Sequence, residues 1–172
     1  MAVAFGLSFF KKKSLDASLV SFDWDGYPLT IAYPETFMNL SGRPVAKLLH
    51  QLRLDPQRDL LILVDDVALP FGRLRLRGFG SDGGHNGLKS IHQALNSAYY
   101  ARLRIGIGAV WDEGKRETSL ETLERYVLSP FPKEEERAFA KIQPKALEAA
   151  RWWLSEPIDK AMSIVNDSKF MS

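Results

Sequence analysis

Two asparagines, an aspartate pair and a run of arginines are the residues of this 172-residue chain whose types and spacing could do chemistry. The first asparagine lies in Thr36-Phe37-Met38-Asn39-Leu40-Ser41-Gly42, at an expected strand-to-helix junction. Its side-chain amide offers an acceptor and two donors, enough to hold a water or a hydroxyl. The plainer alternative is that Asn39 or Ser41 caps the helix, worth ~1 kcal/mol. Next, Val64-Asp65-Asp66 closes an apolar run, so Asp65 is expected at the carboxyl end of a strand, where α/β sheets place their ligand crevices. An aspartate there could orient a base, bind a metal or cap a turn. Adjacent strand residues point to opposite faces, which weakens joint metal ligation by Asp65 and Asp66. The third segment, Gly80-Ser81-Asp82-Gly83-Gly84-His85-Asn86-Gly87-Leu88-Lys89-Ser90-Ile91, is a glycine-rich loop opening a helix. Glycines allow close backbone approach, and a helix start favours an anion. The spacing is not that of a dinucleotide fingerprint, and no Walker-type loop is present. His85 in isolation reads as a structural histidine, and His50 and His92 fall on helices with no evident chemistry.

The net charge is only +2, but its placement is uneven. Between Phe71 and Arg104, six basic residues (Arg73, Arg75, Arg77, Lys89, Arg102, Arg104) face one acid, Asp82, a balance of +5 over 34 residues. From Ile105 onward ten basic and twelve acidic residues give −2. A basic block in a near-neutral chain points to an anionic partner held at one place; the alternative is a solvated, arginine-bearing strand edge. With 45% apolar and 26% charged residues the composition is that of a folded globular protein. The absence of cysteine excludes disulfides, thiolate nucleophiles and Cys-ligated metals, and fits a reducing cytosol. No apolar run approaches the ~20 residues of a membrane span. The apolar start followed by Lys11-Lys12-Lys13 reverses the order of a secretory signal.

These groups need a scaffold. Ala17 to Phe22 and Pro28 to Tyr33 read as strands joined through Asp25-Gly26, a hairpin signal. Ser41 stands where a helix N-cap belongs, with Val45, Leu48, Leu49 and Leu52 at helical spacing until Asp55-Pro56. Leu60 to Val64 reads as a buried central strand. Leu74 and Leu76 alternate with Arg73, Arg75 and Arg77, a half-exposed strand with its basic side outward. A helix with Leu88, Ile91, Ala94 and Leu95 on one face follows, then a strand from Leu103 to Gly108. A polar loop through Asp112 to Thr118 leads to helical stripes. These run through Leu120, Leu123, Val127 and Leu128, then Ala146 to Leu154 and Ile158 to Val165, with breaks at Pro144 and Pro157. Alternating strands and helices predict an α/β fold, and the hairpin makes the sheet mixed.

Taken in order, several segments carry a resemblance. They are Thr36 to Gly42, Asp65, Leu69-Pro70-x-Gly72, Gly83-Gly84-His85-Asn86-Gly87-Leu88-Lys89-Ser90-Ile91, Arg102 to Gly108 and Tyr126-Val127-Leu128-x-x-Phe131. Together, from about Leu29 to Phe131, the sequence resembles bacterial-type peptidyl-tRNA hydrolases. The resemblance implies one α/β domain over residues 1–172, a twisted mixed β-sheet flanked by helices. It implies hydrolysis of the ester between a stalled peptide and the 3′ end of tRNA, without cofactor or metal. The expected partner is peptidyl-tRNA, with no membrane, and the protein is expected to act as a cytoplasmic monomer. Asn39 resembles the asparagine that positions the attacking water, Asp65 the aspartate that orients the catalytic histidine, and Asn86 the asparagine that holds the substrate. Phe37 and Met38 would line the crevice, and Arg75, Arg77, Lys89 and Arg104 resemble the phosphate clamp.

In this likeness the sequence starts partway along the family's first helix, near Met1 to Gly6. The family's Thr-Arg-His-Asn histidine, which acts as general base, then has no counterpart, and neither has its opening Gly-x-Gly-Asn-Pro-Gly loop. His85 cannot replace that histidine, since the family carries one beside the matching asparagine as well. The expectation is a hydrolase whose start lies upstream. The alternatives are a non-catalytic RNA-binding relative, such as a splicing-associated homologue, or an interaction module.

Overall fold

A computed structural model describes residues 6–108, 130 and 133–171. They fall into two compact units, one of residues 1–60 and 78–101, the other of 61–77 and 102–172.

The first unit opens with an antiparallel meander of β1 (Phe10–Lys12), β2 (Ala17–Trp24) and β3 (Tyr27–Pro34). The hairpin expected at Asp25-Gly26 is observed. Both residues adopt positive φ, 52° and 88°, which a two-residue turn matching the strand twist requires. Helix α1 (Gly42–Leu52) follows a 3-10 turn at Met38–Leu40, and a short helix α2 (Pro56–Asp59) is capped by the Asp55 carboxylate. Helix α3 (Asn86–Leu95) packs on α1. Gly42 permits this approach, because a Cβ there would run into the Ser90 carbonyl and lie 2.8 Å from the Ala94 Cβ.

The second unit holds a three-stranded sheet in the order β4 (Leu61–Pro70), β6 (Ala101–Gly108), β5 (Leu74–Arg77). Its core is Leu74, Leu76 and Leu103 against Ala146, Ala149, Ala161 and Val165 of α4 (Lys133–Ser155) and α5 (Ile158–Asn166). The outer edge of β5 is closed by Asn166, whose side-chain amide accepts from Leu76 N–H at 2.9 Å and donates to Leu76 C=O at 3.0 Å. That pairing removes an open backbone edge.

The α/β class is as expected; the described strands lie in two three-stranded sheets. Three expectations change. The strand taken as Leu60 to Val64 continues to Pro70, because Gly106 and Gly108 let β6 lie directly against the carbonyls of Val67, Leu69 and Pro70. It is an edge strand among the described residues, with Leu63 exposed, where a buried central strand was expected. Helix α4 runs through Pro144, where a break was expected. Pro144 and Ala140, whose carbonyl loses its partner, are both exposed, so water can satisfy that carbonyl. The break at Pro157 is observed, with Pro157 at the N-cap of α5. The loop at Asp112 to Thr118, the stripe through Leu120 and Leu128 and the Tyr126 to Phe131 motif lie outside the described residues. Among the described residues no helix is long and apolar enough to cross a membrane.

Candidate functional site

In the first unit the 3-10 turn at Met38–Leu40 packs on α3. A Cβ on Gly87 would sit 2.7 Å from Met38 Sδ, so any larger residue there would make the methionine side chain shift. Asn39 and Asn86 are thereby presented from neighbouring elements, both exposed and without side-chain partners among the described residues. Phe37 (81% exposed) and Leu40 flank them. Capping does not use up Asn39 or Ser41. Neither side chain caps α1, and the Ser41 hydroxyl faces Met38 Sδ at 3.9 Å. The first amide of α1, Gly42 N–H, donates instead to Ser90 Oγ of α3 at 3.0 Å.

The glycine-rich loop is organised around Asp82 and His85. Asp82 Oδ1 accepts from Gly84 N–H at 2.8 Å, across Gly83 and Gly84 with φ of 59° and 83°. His85 then caps α3: its Nδ1 accepts from Gly87 N–H at 3.1 Å and Leu88 N–H at 3.2 Å. With Nδ1 an acceptor twice over, the ring proton belongs on Nε2. This corrects the expectation of an anion at this helix start, since the imidazole occupies the amides an anion would need. His85 is structural, as its sequence context suggested. Lys89 is exposed one turn along α3.

The second unit carries the basic face. The register pairs Arg75 with Arg104 and Arg77 with Arg102, alternating with the apolar pairs Leu74–Ile105, where Ile105 is half-buried, and Leu76–Leu103, fully buried. Arg75, Arg77 and Arg104 are partly exposed, whereas Arg102 is buried. Partial burial, followed by the charges of Arg77 and Arg104, pulls the Arg75 guanidinium below the usual arginine range. Like charges directly opposite in a sheet destabilise it unless a counter-charge is present. One counter-charge is internal: Asp66 Oδ2 lies 2.5 Å from Arg104 Nε, an ion pair without hydrogen-bond alignment, while Asp66 Oδ1 accepts from Ala68 N–H. Asp66 is buried and Asp65 half-buried on the opposite face, as strand alternation demands. Asp65 sits mid-strand, because β4 runs on to Pro70. The role of Asp66 was missed from the sequence; only the β4-β6-β5 order reveals it.

Phe37, Met38, Asn39, Asn86 and Lys89 thus belong to the first unit, and Asp65, Arg75, Arg77 and Arg104 to the second. An open depression beside α1, lined by Leu15, Lys47, His50 and Arg53 among others, contains none of them.

The family model described as peptidyl-tRNA hydrolase matches residues 1–172. The peptidyl-tRNA hydrolase of Desulfitobacterium hafniense is 41% identical over 144 residues, covering 82% of this chain and 72% of that protein. That of Gloeobacter violaceus is 44% identical over 139 residues, covering 81% of this chain and 66% of that protein. Among solved structures, peptidyl-tRNA hydrolase from Acinetobacter baumannii superimposes with a TM-score of 0.82 at 26% identity, covering 96% of this chain and 80% of that one.

Proposed function

The chain belongs to the peptidyl-tRNA hydrolase family, and on that premise we propose that it hydrolyses the ester joining peptide to the 3′ end of tRNA, returning free tRNA to translation. The observation that carries this reading is the pair of exposed amides, Asn39 and Asn86, without side-chain partners among the described residues and held on packed elements beside the exposed Phe37 and Met38. An asparagine can accept from a water while donating to an ester oxygen, so two of them can place nucleophile and carbonyl together. Asp65 orients a catalytic imidazole and stabilises its charged form, as carboxylates do in hydrolase triads. Arg75, Arg77, Lys89 and Arg104 hold phosphates, which position the substrate without reading bases. The residues 1–172 act as one domain, in the cytoplasm and as a monomer, with no cofactor.

Positioning is not enough for turnover. Attack by water on an ester at neutral pH needs a base of pKa near 7, and positioned proton transfer is worth roughly 10²- to 10⁴-fold. His85 is committed to the α3 cap. The base is an imidazole presented to Asp65, the part played in the family by the Thr-Arg-His-Asn histidine.

The test is release of free tRNA from a peptidyl-tRNA by a polypeptide carrying residues 1–172 behind that motif. Asn39→Ala and Asp65→Asn should each lower kcat by roughly 10²-fold or more while thermal stability stays within a few degrees. Undiminished turnover in both variants overturns the assignment. Intact tRNA binding with no turnover in any form would favour the non-catalytic RNA-binding reading.

A further inference from the structure

We propose that Phe79 and Tyr99 form a stacking platform for an unpaired nucleobase of the RNA ligand. The two rings lie face to face, centroids 5.6 Å apart and planes 29° from parallel, yet they are 63% and 59% exposed. They join no core cluster among the described residues. A stacked pair that leaves this much of each ring in water has an outer face open to a third ring.

The local chain holds the rings in place. Tyr99 N–H donates to Ser97 Oγ at 3.0 Å, which fixes the turn after α3. The next residue, Tyr100, is fully buried and meets His92 edge-on with centroids 5.5 Å apart, so the backbone under Tyr99 is anchored. Phe79 stands between Gly78 and Gly80, which have no side chain to shield its face.

Charge selects the occupant. The platform lies within the stretch from Phe71 to Arg104, which carries +5, and Phe79 follows Arg77 by two positions. The one acid of that stretch, Asp82, has one carboxylate oxygen taken by Gly84 N–H. An aromatic surface two positions along the chain from an arginine suits a ligand with a π-face and a negative backbone, which is single-stranded nucleic acid. This inference rests on the tRNA-binding reading above and adds a contact that is not electrostatic.

The experiment measures binding of a short single-stranded RNA containing one 2-aminopurine, and of a blunt RNA duplex of equal length, across a salt series. Phe79→Ala and Tyr99→Ala should each weaken single-strand binding roughly ten-fold and abolish quenching of the 2-aminopurine. Duplex binding and the slope of log K against log salt should be unchanged, because no charge is removed. Phe79→Trp should retain both affinity and quenching. Arg75→Ala should do the opposite, lowering the salt slope for both ligands while leaving quenching intact. Alanine variants that bind the single strand like the parent, or a parent that does not quench it, refute the platform whether or not the arginine effects appear. Self-association of the parent that either alanine variant abolishes would also refute it, assigning the rings to a second copy of the chain.

Discussion

Removing Arg75 and Arg77 together is the most direct quantitative test of the basic face. Each phosphate neutralised contributes about 0.9 to the slope of log K against log salt. Two lost contacts should therefore flatten the slope by about 1.8, and between about 50 and about 200 mM salt the variant should weaken about 12-fold less than the parent. Arg104 behaves differently in this account. Its charge is already met by Asp66 at 2.5 Å, so Arg104→Ala should flatten the slope by well under about 0.9. Asp66→Asn keeps an acceptor for Ala68 N–H but removes the counter-charge, so it should steepen the slope by up to about 0.9. The same substitution should lower stability by ~1–2 kcal/mol, because the aspartate is buried but Arg104 retains water contact. Arg75→Ala should leave stability intact or raise it slightly, since it removes one of two like charges placed opposite each other. The assay is equilibrium binding of tRNA over the salt series. A slope unmoved by the double variant refutes phosphate contact at this face. A slope unmoved by Asp66→Asn refutes the claim that the ion pair holds Arg104 back.

The capping geometry makes His85→Ala cost ~1 kcal/mol and about 2–4 °C in Tm, with His85→Asp recovering most of it; a thermal melt unchanged by alanine would sink the cap. Gly42→Ala should cost ~1–3 kcal/mol by thermal or urea melting, because its methyl group runs into the Ser90 carbonyl; an unchanged melt would mean α1 and α3 can separate freely. In the meander, the hydrogen bond from Lys47 Nζ, 2.7 Å away, holds the Asp16 carboxylate below its ordinary 3.8, with partial burial working the other way. A depressed carboxylate stabilises the fold above its unfolded value and ceases to do so as pH falls through the lower folded value. Tm against pH in Lys47→Met should therefore fall less steeply below about pH 4 than in the parent, and parallel profiles would exclude the linkage.

Local signals made much of the fold legible. Asp25-Gly26 announced its hairpin because two adjacent positive φ angles admit few residue types, and Leu74 and Leu76 announced their strand because every second side chain is buried. The end of β4 was not legible. Two aspartates in a row look like a strand end, yet Asp66 enters a buried position because Arg104 on the next strand neutralises it. Pro144 looked like a break, but the helix keeps it on the solvent side, where its missing hydrogen bond costs least.

The candidate site divides along the same line. Residue types and order were enough to single out Asn39, Asn86 and the arginines, since these follow from chain-local motifs. What they touch was not, because contacts between distant segments have no periodicity to read. Ser90 takes over the helix-capping task that Ser41 was expected to perform, from 48 positions away. That exchange bears on function: a serine or asparagine tied to the α1 amides could not turn toward a substrate, whereas Asn39 keeps its amide open. His85 shows the same logic in reverse. By spending its Nδ1 on the amides of Gly87 and Leu88, it closes the start of α3 to free anions and leaves Asn86 as the exposed polar group there. Under the proposed function, phosphate is assigned to the arginine face and neutral polar chemistry to the two asparagines. An ester joined to a polynucleotide needs both kinds of surface, because contacts that hold phosphate tightly would gain nothing for the reaction if they fell on the carbonyl in its ground state.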